Sequence, residues 1–109
     1  MNVNIPKNGF YYHYKHNPEG EINNYAYEVM GIGHHTEIDG LEESAMVMYR
    51  PIYEARVFKI GKHWDLRPLQ MFMEDVTKDG KTFPRFSKIE DEEVIKKLTE
   101  IRDRMYDLV

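Results

Sequence analysis

From Tyr25 to His35 the chain alternates with a period of two. Tyr25, Tyr27, Val29, Gly31, Gly33 and His35 fall on one side, and Ala26, Glu28, Met30, Ile32 and His34 on the other. That period belongs to an extended strand, whose side chains point in turn to opposite faces. A strand this long carries unpaired donors and acceptors along both edges, so the chain must supply neighbours for it and the fold is mainly β. Gly31 and Gly33 add a second constraint. Glycine inside a strand marks a bulge, a bend or the close approach of another group, and these uses fit a tightly curved barrel.

The neighbours can be read on either side. Residues 10–15, rich in Tyr and Phe, form an earlier strand, and Asn17-Pro18-Glu19-Gly20 is a turn signal. Asp39-Gly40 with Glu42-Glu43 reads as a solvated loop. A third strand is expected from Ala45 to Tyr53, with Val47, Tyr49 and Tyr53 on one face and Pro51 as an edge or a break. Residues 55–65 read as a hairpin, Val57, Phe58 and Ile60 leading into Gly61-Lys62 with Trp64 on the return. Pro68 suits the first position of a single helical turn carrying Leu69, Met71 and Phe72. Asp79-Gly80, set between Val76-Thr77-Lys78 and Lys81-Thr82-Phe83, is a two-residue hairpin turn.

One helix is expected, at the end. Val94, Leu98, Ile101, Met105 and Leu108 step by four and three and make one apolar stripe. Asp91 is its N-cap, Glu92 and Glu93 lie in the positive first turn, and Arg102 and Arg104 lie toward the negative end. Such a helix is marginal alone, so its stripe packs on the sheet or on a second copy, and a homodimer stays open. Phe10, Tyr27, Val29, Phe58, Phe72 and Phe86 are the expected core, with Tyr12, Tyr14 and Tyr25 left for the surface.

Composition narrows the class. At 109 residues with 41% hydrophobic content the chain makes one domain, 1–109, with a single core. The absence of cysteine excludes disulfides, thiolate metal sites and cysteine nucleophiles. No apolar run approaches the ~20 residues of a membrane span, and no secretory signal opens the chain, so the expected compartment is the cytoplasm. Of the formal charge of -4, residues 90–109 carry -3, with seven acids against four bases. A near-neutral body with an acidic tail argues against binding to duplex DNA, which needs many phosphate contacts from a basic face.

Several short groups recur in a fixed order. Gly9, Tyr11, His13 and Lys15 come first, then Tyr27, Glu28, Val29 and Gly31, then His35 and Glu37. Val47, Tyr49, Arg50, Tyr53 and Trp64 follow, leading to Arg67, Pro68, Met71, Phe72, Arg85 and Phe86. In this order they resemble the bacterial and phage family known as domain of unknown function 1653, over roughly residues 9–88. The resemblance implies a small SH3-like β-barrel, here followed by a C-terminal α-helix over 91–108, and it implies no activity. The chain departs from the compact family pattern in its longer segments 16–26 and 54–63, in Gly33 where alanine is usual, and in the added helix.

Three kinds of chemistry compete with ordinary structural roles for the polar residues. His13, His16, His34, His35 and Glu37 include metal-ligand types, but adjacent strand histidines point to opposite faces and the spacing forms no metal motif, so no metal is expected. His35 and Glu37, two apart on one strand face, are the weak catalytic pair, a base and its orienting partner, with Asp65 as a second acid. No nucleophile elbow, phosphate-cradling glycine loop or helical zinc motif accompanies them, and no cofactor is expected.

The arginines are the strongest polar set. Arg50, Arg67 and Arg85 each precede Pro or Phe, and a guanidinium can grip a phosphate or carboxylate while stacking on a ring. The expected function is a non-enzymatic binding module for a small anionic, planar ligand, of nucleotide or nucleotide-derived type. Tyr11, His13, Tyr49 and Trp64 shape or stack the site, Arg50, Arg67 and Arg85 take negative charge, and His35 and Glu37 orient polar edges. The opposing reading pairs Arg67 and Arg85 with internal acids such as Glu28, Glu37 or Asp65, which would brace the loops. Two other classes were kept: an open groove for peptide or single-stranded nucleic acid, and a small hydrolase or lyase on His35 and Glu37.

Overall fold

A computed structural model describes residues 5–108. The elements run β1 (Gly9–His13), β2 (Ala26–His34), α1 (Leu41–Ser44), β3 (Ala45–Pro51), α2 (Arg56–Lys59), β4 (Asp65–Pro68), α3 (Leu69–Met73), β5 (Asp75–Lys78), β6 (Lys81–Pro84), β7 (Phe86–Lys88) and α4 (Glu92–Met105). Five strands pair antiparallel in the order β4-β3-β2-β1-β7, and β5 with β6 forms a separate hairpin.

The mainly β fold with a terminal helix follows the sequence pattern. Strict alternation along β3 buries Ala45, Val47, Tyr49 and Pro51 and leaves Met46, Met48 and Arg50 on the opposite face. With Tyr11, Val29 and Phe86, the residues Ala45, Val47 and Tyr49 form a core that Leu69 and Phe72 of α3 close from above. Phe72 lies flat on Phe86 with ring centroids 4.1 Å apart, and Tyr11 and Tyr49 meet Phe72 edge-on. The other face carries Phe10, Ala26 and, just past β3, Ile52, and there it meets Leu98 of α4 flanked by Val94, Ile95, Ile101 and Met105. The sheet is therefore a wall shared by two cores, and most of the apolar stripe of the last helix packs on it. The helix ends at Met105 rather than at 108 and leaves the expected stripe residue Leu108 exposed.

A polar brace fixes α4 on that second face. Glu28, half-buried on β2, takes Arg50 of β3 on one oxygen at 2.8 Å and Arg102 of α4 on the other at 2.8 Å. Arg50 also lies over the Tyr106 ring at 4.3 Å. Asp91 caps the helix as expected, its carboxylate accepting from the amides of Glu93 at 3.0 Å and Val94 at 3.2 Å.

The first face is concave. Phe86 on edge strand β7 reaches within 5.7 Å of the Arg67 guanidinium on the opposite edge strand β4. Among the described residues the two edges are not hydrogen-bonded to each other, so the sheet is curled and open. No helix among these residues is long and apolar enough to cross a membrane.

Three local expectations are corrected. The alternation of β2 breaks at a bulge between Val29 and Gly31, so that Ile32 and His34, not Gly31 and Gly33, continue the Val29 face opposite Val47 and Ala45. The stretch expected as a hairpin at 55–65 is instead a helical turn. Lys59 donates to the Ala55 carbonyl at 3.0 Å and Lys62 to that of Phe58 at 2.8 Å, and helical spacing carries Phe58 onto Tyr106 of α4 at 5.4 Å. The loop at 41–44 winds into the single turn α1. The Asp79-Gly80 hairpin holds, with φ of 53° and 75° at its two central residues, as its turn type requires.

Candidate functional site

Period-two alternation gathers one set of polar and aromatic side chains on the concave face. His13 ends β1, Tyr25 and Tyr27 open β2, Tyr49 lies on β3 with Tyr53 just beyond it, and Asp65 and Arg67 stand two apart on β4. Register places Asp65 opposite Tyr49 and Arg67 opposite Val47. Arg85 and Phe86 arrive from the far edge, where β7 pairs with β1 and sets Phe86 against His13.

Arg67 is the centre of this set. Its Nε donates to the Tyr49 hydroxyl at 3.0 Å, its guanidinium faces Phe86, and among the described residues no carboxylate lies within ion-pair distance of it. Arg85 differs in part. It pairs with Glu74 at 2.6 Å, yet its Nε is buried with no hydrogen-bond partner. A buried donor without a partner is costly, and such atoms in native proteins call for a cause.

His13 lies between the two guanidinium groups electrostatically. Burial lowers its pKa to about 4, and the charges of Arg67, Lys15 and Arg85 act in the same direction. The ring is therefore neutral at pH 7. Its Nδ1 accepts from the Lys15 amide at 3.2 Å, which leaves the proton of the neutral ring on Nε2. The Phe86 ring stands edge-on to it at 5.1 Å, with Tyr14 at 4.4 Å and Tyr25 at 5.8 Å.

The tyrosines form the rest of the wall. Tyr27 and Tyr53 share a hydrogen bond between their hydroxyls, and Tyr27 stands edge-on to Tyr49, Tyr53 and Phe86. Burial raises the pKa of Tyr27, and the bond to Tyr53 raises it further. Tyr49 is also raised by burial, against the pull of Arg67. Burial likewise raises the pKa of Asp65, with Arg67 opposing it.

Beside the tyrosines lies an open cavity of about 450 Å³, lined by Tyr27 and Asp65 on the sheet and by Ala55, Arg56, Val57 and Ile60 of the arm that carries α2. That volume is within the range of sites for small organic ligands. The long 54–63 segment thus builds one wall of it.

Of the residues expected at a site, Tyr11, His13, Tyr49, Arg67 and Arg85 share the concave face, with Tyr11 in its core. Arg50 lies on the opposite face, held by Glu28, because it follows Tyr49 by one residue in a strand. His35 and Glu37 lie in the exposed turn after β2, where the Glu37 amide donates to His35 Nδ1 at 3.2 Å. Their spacing on a strand face is lost because the strand stops at His34. Trp64, half-exposed, stands just ahead of Asp65 at the start of β4. Among the described residues no three His, Asp or Glu side chains gather as a metal site.

Sequence reasoning left Tyr25, Tyr27 and Tyr53 out of the binding site and named Asp65 only as a second acid of the catalytic reading. Parity held the signal: Tyr25 and Tyr27 share the face of Val29 ahead of the bulge, and Asp65 shares the face of Arg67. No curated protein and no solved structure matches the chain. Residues 9–88, most of the chain, match the family described as protein of unknown function (DUF1653), and the chain belongs to that family.

Proposed function

We propose that this protein is a non-enzymatic binding module for a small anionic, planar ligand of nucleotide type, held at the mouth of the concave face. The observation that carries the reading is Arg67, a half-buried guanidinium oriented by a tyrosine hydroxyl rather than neutralised by a carboxylate. Such a group binds phosphate or carboxylate through charge-assisted hydrogen bonds while keeping its place against an aromatic ring. The neutral Nε2–H of His13 is a further donor beside it, and the Arg85 guanidinium adds positive charge. Tyr25, Tyr27 and Tyr53 offer aromatic surface to a planar group, and the adjoining cavity offers room.

We also read the curled sheet as an SH3-like barrel open along the β4–β7 seam, supported by the approach of Phe86 to Arg67 across it. A cytoplasmic setting fits a chain without cysteine.

The test is calorimetric titration with GMP, AMP and inorganic phosphate. At least one nucleotide is expected to bind saturably, and Arg67→Ala to weaken it roughly tenfold or more, the value of a hydrogen bond to a charged group. Binding that Arg67→Ala leaves unchanged would contradict the site. Absence of nucleotide binding, with single-stranded oligonucleotide or peptide bound instead, would move the function to an open groove.

A further inference from the structure

Asp65 is the least explained charge on the concave face. It is half-buried on β4, lines the cavity with Tyr27, and among the described residues makes no hydrogen bond or ion pair through its side chain. Arg67, two residues on, gives its Nε to Tyr49 instead. Burial works against the carboxylate, and the nearby Arg67 charge opposes that effect only from a distance, without an ion pair. A carboxylate so placed lacks donors, and one that lines a cavity can receive them from a ligand.

We propose that Asp65 is a specificity-determining residue, reading the hydrogen-bond donors of the ligand's planar group and selecting a guanine-type base. This deepens the proposed function and rests on it. A carboxylate accepts two parallel N–H bonds, as it does from arginine. Among the common bases, guanine alone presents two adjacent donors on one edge, the ring N1–H and the exocyclic N2–H. Adenine and cytosine present one amino group beside a ring nitrogen lone pair, which a carboxylate repels. Hypoxanthine and uracil present one N–H beside carbonyl oxygen. The neighbours suit the same group: Tyr27 provides a ring at the cavity wall, and Arg67 and Arg85 stand beyond the carboxylate for the anionic part of the molecule. Selectivity of this kind is large, because a competing base leaves a buried acceptor unpaired.

The test compares GMP, IMP and AMP by calorimetry on the wild type, Asp65→Asn and Arg67→Ala, with circular dichroism confirming the fold of each. GMP and IMP differ only in the N2 amino group. The wild type is expected to bind GMP at least tenfold more tightly than IMP or AMP. Asp65→Asn is expected to lose that preference, and Arg67→Ala to weaken all three ligands while keeping it. Equal affinity of the wild type for the three nucleotides, with Arg67→Ala still weakening them, would overturn the role of Asp65 and leave the anion site standing. A GMP preference that survives Asp65→Asn would also overturn it. Should that variant fail to fold, the wild-type comparison of GMP with IMP decides. No binding of any of the three would overturn both readings.

Discussion

Tyr25 holds a backbone conformation that a bulky residue rarely adopts, with φ of 51° at the entry to β2. Its carbonyl accepts from the His13 amide at 3.0 Å, and its ring stands 5.8 Å from those of both His13 and Tyr53. Left-handed backbone costs a side-chain-bearing residue about 1–2 kcal/mol, so a strained position supports a ring at the mouth of the site. Tyr25→Gly is therefore expected to leave thermal stability within about 1 kcal/mol of the wild type, since relief of strain offsets the entropy of glycine. The same variant should weaken nucleotide binding. A substantial loss of stability with binding intact would show the ring to be merely structural.

His13 carries a second prediction at this scale. Its pKa in the folded protein is about 4, below the ordinary 6.5. Between those values the unfolded chain holds the proton and the folded chain does not. Its contribution to stability is therefore fully present above pH 6.5 and is lost as pH falls toward 4. Melting temperatures of the wild type and His13→Gln, measured from pH 7 to pH 4.5, should converge as the pH falls. Parallel curves would contradict the assignment. The sequence pointed to His13 as a candidate, but its neutral state was not legible, because that depends on burial and on Arg67 and Arg85, which are distant in sequence.

At the scale of elements, α4 and the 54–63 arm do different work. The helix is fixed by its apolar stripe, by the Asp91 cap and by the Glu28 brace to Arg50 and Arg102. Glu28→Gln leaves two mostly buried guanidinium groups without their shared carboxylate and should cost about 2–4 kcal/mol, read in a denaturant melt. A cost below about 0.5 kcal/mol would show the brace to be a surface pair in effect. The stripe and the cap could be read directly, because helical periodicity and capping are local. The brace was not legible, since its three members are distant in sequence, and Glu28 was expected to meet Arg67 or Arg85 instead. The arm failed as a sequence reading for a related reason. Val57, Phe58 and Ile60 are strong strand formers locally, but packing of Phe58 on Tyr106 favours a helical turn. The bulge in β2 had a visible sign in its glycines, although nothing local said on which side of Gly31 the register would shift.

The five-stranded sheet has a core on either side, and the candidate site stands where the concave core gives way to polar groups. Phe72 and Leu98 are almost completely buried in the two cores. Phe72→Ala should cost about 3–5 kcal/mol and Leu98→Ala about 2–5 kcal/mol. Because both cores draw residues from β1 and β2, each variant should still melt in a single transition. Separate transitions would contradict the shared wall.

The most direct test of the proposed anion-binding mouth is native mass spectrometry of the protein purified gently from its expression host, beside the Arg67→Ala variant prepared in the same way. A discrete added mass that vanishes on denaturation and is depleted in Arg67→Ala is the predicted result. A bare mass in both proteins that stays bare after incubation with GMP, or an added mass that Arg67→Ala retains in full, would contradict it.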